Sequence, residues 1–238
     1  SDEGAGLYCY RTAVSITNCV ITGNYAEDRG GAVYCYRSDA EIVNCTFSGN
    51  GANYNGGGIY YRYDPTPAIA NCIFVDNTQH AIYRGYSQAY SVVANCLFYG
   101  NADGDYFDDE TYQSYTGSVQ INNLVGASGN VSGDPQFAFD GDYHVMQGSP
   151  CIDRGTNNPP GGLPERDKDG NPRPLASSEF GVVVADIGAY EFNYIEPTIV
   201  LSSDDLEFIR EQDGANPDNQ ILYIQNCGGG GLDWQIDK

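Results

Sequence analysis

Positive charge is scarce in this sequence. Lys and Arg together number 11 against 32 Asp and Glu, which gives a formal net charge of −21. A negative field repels the phosphates of nucleic acids and anionic membrane surfaces, so we expect neither as a partner. Long apolar runs are also missing, because no 18-residue apolar segment and no basic, apolar leader occurs. We therefore expect no membrane span in this segment and a secreted or cell-surface location, with any leader already removed.

Residues typical of helices and of catalytic centres are few as well. The sequence has one Met, one Trp and two His, but 20 Tyr and 30 Gly. Aromatic residues favour strands and glycines favour tight turns, so the composition indicates an all-β protein rather than a helical one.

One short motif recurs along the first half of the chain. The pattern Asn-Cys-x-apolar-x-x-Asn begins at Asn18, Asn44, Asn71 and Asn95, with spacings of 26, 27 and 24, and a weak fifth copy follows after 27 at residues 122–125. A fixed period is the signature of a solenoid, in which stacked units share one core. Three short strands in each unit, without Leu repeats or helical periodicity, predict a right-handed parallel β-helix over residues 1–132.

Alternation along each strand predicts which side chains face inward and which lie at corners. Equivalent residues of successive coils then form columns, and stacked Asn amides suit a corner because they bond to one another and to turn backbone. The predicted inward columns are Cys19, Cys45, Cys72 and Cys96, and Ile21, Phe47, Phe74 and Phe98; the predicted corner column is Asn24, Asn50, Asn77 and Asn101.

The cysteine column admits two interpretations. Zinc sites use C-x-x-C pairs, and this sequence has none. In-register neighbours on parallel strands lie somewhat farther apart than disulfide geometry prefers, which favours buried thiols that act as small apolar residues. One or more disulfides, especially between Cys9 and Cys35, is the alternative.

The residues between the predicted inward positions form an outward aromatic band. Such a band is either a well-packed β surface or a place for subunits or sugars to bind. Arginines beside it could pair with carboxylates, lie over the rings, or receive an anionic glycan. The band comprises Tyr8, Tyr10, Tyr34, Tyr36, Tyr60, Tyr63, Tyr83 and Tyr86, with Arg11, Arg37, Arg62 and Arg84 beside it.

Two resemblances to known families add to this interpretation. Gly-Gly-Ala-Val at residues 30–33 and Phe-Ser-Gly-Asn at residues 47–50 resemble the paired GGA[ILV] and FxxN motifs of polymorphic outer-membrane-protein repeats, which are bacterial surface β-helices. Residues 133–192 resemble the C-terminal end of secreted bacterial β-helix proteins that carry a surface anchor downstream. That resemblance implies that residues 133–196 finish and cap the solenoid.

A possible cation site lies within the predicted cap. Asp167, Asp169 and Asn171 have the oxygen-rich spacing of a calcium loop, although the later Glu of an EF-hand is missing. In the family that the cap resembles, the same residues precede an Arg, here Arg173, which favours a hydrogen-bonded turn. No other cofactor is expected.

The last part of the chain has a different sequence pattern and lacks the repeat. Residues 198–206, 220–225 and 232–236 are predicted strands, and residues 197–238 resemble the start of a BACON-like or related immunoglobulin-like domain. Such a β-sandwich needs about 100 residues, so this segment would be partial. We expect either a fragment of a longer chain or ends completed by neighbouring subunits.

The pattern as a whole favours a non-enzymatic structural or adhesive solenoid, such as a subunit of a filament, stalk or surface layer. Its expected partners are further copies, other cell-surface components or a glycan. The alternative is a carbohydrate-binding or polysaccharide-cleaving β-helix. Inverting hydrolases need two acids on adjacent coils, and no such pair with a nearby His is evident, since only His80 and His144 are present.

Overall fold

The computed structural model describes residues 3–63, 66–86, 90–175 and 183–193, together with the backbone of two short strands beyond them. The chain divides into one unit of Ser1–Phe192 and a second of Asn193–Lys238. The first unit is a β-solenoid of stacked coils, which confirms the predicted fold class. Among the described residues, no helix is long and apolar enough to cross a membrane.

Three parallel sheets run along the solenoid, and each coil contributes one short strand to each sheet. The first sheet comprises β1 (Leu7–Tyr10), β5 (Val33–Tyr36), β9 (Ile59–Arg62), β12 (His80–Arg84) and β15 (Gly104–Asp108), followed by the antiparallel β16 (Gln113–Tyr115). The second comprises β2 (Val14–Thr17), β6 (Ala40–Val43), β10 (Ala68–Ala70), β13 (Val92–Ala94) and β17 (Ala127–Ser128). The third comprises β3 (Val20–Thr22), β7 (Thr46–Ser48), β11 (Ile73–Val75), β14 (Leu97–Tyr99) and β18 (Val131–Ser132).

Smaller elements complete the unit. A two-stranded ladder joins the first two coils, a single helical turn precedes the last coil, and a hairpin follows it. These are β4 (Tyr25–Ala26) with β8 (Gly51–Ala52), α1 (Ser118–Ile121), and β19 (Phe137–Phe139) with β20 (Asp142–Val145).

Strand register aligns equivalent apolar side chains inside the solenoid. In the third sheet Phe47 pairs with Phe74 and Phe74 with Phe98, and their rings stack with centroids 4.9 and 5.3 Å apart. In the second sheet Ile42 and Ile69 face them from in-register positions. The coils are therefore held together by continuous apolar columns that no single coil could bury alone.

The cysteines of the repeat lie between the second and third sheets. Cys45 and Cys72 are fully buried, and each thiol lies within hydrogen-bonding distance of the carbonyl two residues before it, at 3.3 and 3.1 Å. Burial raises the pKa of both thiols well above the ordinary value, so they stay protonated. All described cysteines are free, and the column acts as a set of small apolar residues with weak S–H donors.

The second Asn of each repeat forms a hydrogen-bonded column at the corner after the third sheet. The Asn50 side-chain oxygen accepts from both the backbone N–H and the amide of Asn24, at 3.1 Å each. Asn77 receives the same two bonds from Asn50, and Asn101 receives them from Asn77. The column ends where the Asn101 amide donates to Asp105 at 2.9 Å. Each amide thus fixes the position of the next coil.

The fifth coil differs from the sequence prediction. Residues 122–125 follow α1 as a turn, and the strand that pairs with β13 begins only at Ala127. Asn130 occupies the place next to Cys96, where its side-chain oxygen accepts the Cys96 N–H at 2.9 Å. The predicted copy is wrong because the helical turn inserts extra residues. Asn44-Cys45-Thr46 and Asn130-Val131-Ser132 fit the N-glycosylation sequon. Both asparagines are buried, so neither amide is accessible for glycosylation.

The first Asn of each repeat binds the segment that follows the coils. Asn18, Asn44, Asn71 and Asn95 all have positive φ, from 50 to 53°, which turns their side chains out of the corner. Their amides donate to backbone carbonyls of Arg166, Asp186, Thr156 and Arg154, respectively. The segment was expected to cap the end of the stack; these bonds place residues 154–175 and 183–188 along its flank.

Removing one of these amides should loosen the flanking segment. Asn71 makes two bonds to Thr156, as donor to its carbonyl at 2.9 Å and as acceptor from its N–H at 2.8 Å. Asn71→Gly keeps the positive φ but removes both, so we expect a loss of about 1–3 kcal/mol and faster amide exchange around Thr156. Asn18→Gly, which removes a single bond at a more exposed site, is the control and should cost less. Equal exchange rates in wild type and Asn71→Gly would contradict this role.

Paired glycines allow neighbouring coils to approach closely. A Cβ at Gly31 would lie 2.2 Å from the Gly51 carbonyl oxygen, and one at Gly57 would lie 1.9 Å from that of Thr78. No side chain fits in either place without moving backbone, which gives the Gly-Gly part of the repeat a steric reason.

The second unit is described only in part. β21 (Ile199–Leu201) pairs antiparallel with β22 (Ile224–Asn226), and both overlap predicted strands. The third predicted strand, residues 232–236, lies outside the described residues. The immunoglobulin-like assignment stays a prediction.

Candidate functional site

The outward tyrosines of the first sheet form two parallel columns. The first column contains Tyr8, Tyr34, Tyr60 and Tyr83, which stack with centroids 5.1, 5.2 and 5.2 Å apart. Tyr34, Tyr60 and Tyr83 are buried, because each ring is covered by its neighbours above and below. Arg29 lies over the Tyr60 ring at 5.7 Å. This column is therefore a second, outer core in which only Tyr8 is exposed, and it corresponds to the well-packed β surface among the two alternatives for the aromatic band.

The second column remains accessible. Tyr10, Tyr36, Tyr63 and Tyr86 follow one another along the coils, with ring centroids 5.2, 5.1 and 6.3 Å apart. Tyr10 and Tyr86 are 51% and 60% exposed, and Tyr36 and Tyr63 are half-buried. This column presents aromatic surface to solvent over four coils.

Three arginines interleave with the second column. The guanidinium of Arg11 lies 5.3 Å from the Tyr10 ring, that of Arg37 lies 5.8 and 5.6 Å from Tyr36 and Tyr63, and that of Arg62 lies 5.3 and 4.6 Å from the same two rings. Coils one and two have the order Tyr-Arg, and coil three has Arg-Tyr, so each coil supplies both groups. We call Tyr10, Tyr36, Tyr63, Tyr86, Arg11, Arg37 and Arg62 the tyrosine–arginine face.

No described carboxylate forms an ion pair with these arginines. Within the described part of the chain, ion pairs engage Arg29, Arg84, His144 and Arg173, and none engages an arginine of the tyrosine–arginine face. The ring faces attract these cations weakly at an exposed site, and Arg62 also forms a hydrogen bond with the Tyr60 hydroxyl. The face is thus a local basic, aromatic surface on a chain of net charge −21.

Arg84 does not belong to this face, although the sequence placed it there. In the register of the first sheet it aligns with Tyr61 and Asp108, on the inward side of the strands. Arg84 is 2% exposed and pairs with Asp108 at 2.8 Å. The nearby Tyr61 hydroxyl lies 2.7 Å from those of both Tyr106 and Ser91. This polar cluster fills the end of the core where smaller residues occupy the earlier coils.

The predicted calcium residues form a hydrogen-bonded turn. The Asp167 carboxylate accepts from the backbone N–H groups of Asp169, Asn171 and Glu191 and from the Asn171 amide, at 2.8–3.0 Å. Backbone bonds lower the Asp167 pKa against the opposing effect of burial. In the described residues, no group of three or more His, Cys, Asp or Glu could hold a metal ion. Calcium here stays a prediction, and the turn alone explains the spacing.

His144 ties the hairpin to that turn. Its Nδ1 lies 2.5 Å from Asp142 Oδ1, and its Nε2 lies 2.8 Å from Asp169 Oδ2, while the ring is 3.9 Å from that of Tyr190. Burial lowers the pKa of His144, but the two carboxylates outweigh it and the net shift is upward. Both ring nitrogens can donate only in the imidazolium form, so this contact is strongest at low pH.

A buried charge cluster lies behind the turn. Arg173 and Glu191 pair at 2.9 Å with both side chains fully buried. Glu191 also accepts the N–H groups of Leu175 and Asp186, at 2.9 and 3.1 Å. Burial, with help from the nearby Glu191, raises the pKa of Asp186 to about 7. The Arg173 guanidinium thus lies near the carboxylates of Glu191, Asp167 and Asp186. These interactions connect parts of the flanking segment that are distant in sequence.

Sequence reasoning missed a groove beside the hairpin. A groove of about 350 Å³ lies between the third sheet and the loop of β19 and β20, and Tyr99, Phe137, Phe139 and Tyr143 supply its aromatic wall. The signal was available, because Asp140-Gly141 between alternating apolar residues is a strong hairpin indicator. A second groove, of about 450 Å³, lies over β2, β6 and β10 and is lined by small residues with Asp39 and Glu41.

Comparisons with known proteins give one match. A family model described as right handed beta helix region matches residues 1–136, which is more than half of the 238-residue chain. No curated protein and no solved structure matches.

Proposed function

Because the chain belongs to the right-handed β-helix family, we propose that it acts as a non-enzymatic, extracellular β-solenoid with a structural or adhesive role. One observation carries this proposal: the side chains that recur in every coil contact their own equivalents in the next coil. The Asn50 amide bonds to Asn77, and the Phe47 ring stacks on Phe74. Repetition here serves stacking rather than chemistry.

Coil-to-coil stacking of this kind yields a stiff body. Every coil is bound to the next by backbone ladders, a ring column and an amide column, so bending would break several contacts at once. A stiff body suits a spacer, stalk or filament subunit, and the negative net charge of −21 keeps it soluble. Further copies or other surface components are the proposed partners.

A solution measurement tests the structural role. We expect concentration-dependent association in sedimentation, with elongated particles by electron microscopy. Incubation with a panel of neutral and acidic polysaccharides should release no new chain ends. A monodisperse monomer at high concentration would count against a filament subunit, and turnover abolished by substituting one carboxylate would overturn the non-enzymatic assignment.

Carbohydrate binding is the second candidate. The observation in its favour is the tyrosine–arginine face, because exposed tyrosine edges and hydroxyls contact sugars and guanidinium groups bind acidic substituents. Binding and a structural role are compatible in an adhesive protein.

A further inference from the structure

Three arginines of the tyrosine–arginine face lie on successive coils, and no carboxylate in the described part of the chain pairs with them. Arg11 and Arg37 are exposed, Arg62 is half-buried, and none takes part in an ion pair with a described residue. The chain has 32 acidic residues against 11 basic ones, so three neighbouring cations without an ion pair to a described residue are unexpected from composition. Their arrangement points to an external anion.

Contact with the tyrosine rings pre-organises the three guanidinium groups for binding an anion. Each guanidinium lies over a tyrosine ring, at 5.3 Å for Arg11, 5.8 Å for Arg37 and 4.6 Å for Arg62. Contact with a ring restrains the side chain and leaves planar N–H donors for two-point contact with a carboxylate or sulfate. Less side-chain freedom is then lost when the anion binds.

We propose that the tyrosine–arginine face binds a linear anionic glycan that lies along the solenoid axis. Its acidic groups contact Arg11, Arg37 and Arg62, and its hydroxyl groups contact the exposed edges and hydroxyls of the tyrosines. The rings recur at 5.2 and 5.1 Å, and each of the first three coils also supplies one guanidinium, so an extended chain meets a ring and a cation at each step. This inference rests on the adhesive part of the proposed function and names its ligand.

Charge density favours a glycan over a nucleic acid. Nucleic acids carry closely spaced phosphates, and a protein of net charge −21 repels such a polymer beyond the local face. A glycan with fewer charges per length meets less repulsion and still satisfies three arginines. Tyrosine hydroxyls add hydrogen bonds that suit sugar hydroxyls.

Binding to defined polymers tests the proposal. We expect the full chain to bind hyaluronate or polygalacturonate saturably in low salt, with neutral dextran much weaker and affinity falling as salt rises. Replacing the three arginines by Gln should weaken binding by roughly tenfold or more, since three exposed contacts are lost. Circular dichroism checks that the triple variant is folded. If it is not, the single variant Arg37→Gln, at an exposed site, replaces it in the binding measurement.

A matched control separates this face from bulk charge. Arg154, Arg166 and Lys168 lie on the flanking segment, away from the tyrosine columns, and replacing them by Gln removes the same charge. The control should bind like wild type. Equal weakening by both triple variants, or no binding to either acidic polymer, would overturn the proposal.

Binding to single-stranded DNA, measured under the same conditions, tests whether the face selects glycans over other polyanions. If DNA binds as tightly as the acidic glycans and with the same arginine dependence, the ligand is a general polyanion and the glycan assignment fails. Sedimentation of the same arginine variants reports separately on the structural role. Loss of glycan binding with unchanged self-association therefore affects only this inference.

Discussion

Phe74→Ala is expected to destabilise the solenoid by about 3–5 kcal/mol. Phe74 is fully buried and lies between Phe47 and Phe98, with ring centroids 4.9 and 5.3 Å away. Its removal leaves a cavity and takes away two ring contacts, one in each direction along the stack. Chemical denaturation followed by circular dichroism measures the change in the free energy of unfolding.

The hairpin supplies a control with the same chemistry. Phe139 is 77% exposed, so Phe139→Ala should change stability by less than about 0.5 kcal/mol. A similar small loss for both variants would show that the phenylalanine column does not hold the coils together. The contrast depends on burial alone, because the atoms removed are the same.

The period and the alternation of the repeat were enough to predict the coil. Three short strands per repeat predicted the solenoid, and the family match and the sheets confirm it. Alternation assigns a side chain to a face because successive residues of a strand point in opposite directions. Phe47 and Tyr34 illustrate this, since they lie on inner and outer faces.

Burial on the outer face could not be read from alternation. Tyr34 points outward and is still fully buried, because Tyr8 and Tyr60 stack on it and the glycine turns approach its Cβ. Tyr10 also points outward from its strand but is 51% exposed. The difference arises from contacts between coils and turns, which a strand pattern does not contain.

Long-range contacts limited the prediction elsewhere. The first Asn of each repeat resembles a corner residue, yet Asn44 bonds to Asp186, which follows 142 positions later. No local pattern links the two. The prediction for the last coil was wrong for a different reason. The helical turn α1 shifts the start of the strand that pairs with β13 to Ala127. Insertions of this kind interrupt a period without a warning in the preceding coils.

Arg173→Met should destabilise the first unit by about 3–5 kcal/mol near pH 8. Arg173 is the buried partner of Glu191 at 2.9 Å, and it also donates to the Gly188 carbonyl at 3.1 Å. Without it, Glu191 and Asp186 remain buried with no cation. Arg166→Met is the control, because Arg166 is an exposed arginine outside this cluster and should change stability little.

The loss should shrink as the pH falls. The pKa of Asp186 is raised by burial from its ordinary value of 3.8 to about 7, so the folded state keeps a proton that the unfolded state has released. Stability from this group is therefore greatest below about pH 4 and decreases as pH rises toward 7. Protonated carboxyls need no cation, so Arg173→Met should be milder at pH 5 than at pH 8.

Two further variants assign the pH dependence. Asp186→Asn cannot ionise and should flatten the decline in stability between about pH 4 and 7. The raised pKa of His144 acts in the same direction, since its imidazolium contact is present below the ordinary 6.5 and is lost as pH rises through the folded value. His144→Gln should remove only the contribution of His144 to the pH dependence of stability. If Arg173→Met costs the same at pH 5 and pH 8, the buried carboxyls do not titrate in this range and the cluster is held by packing rather than by charge.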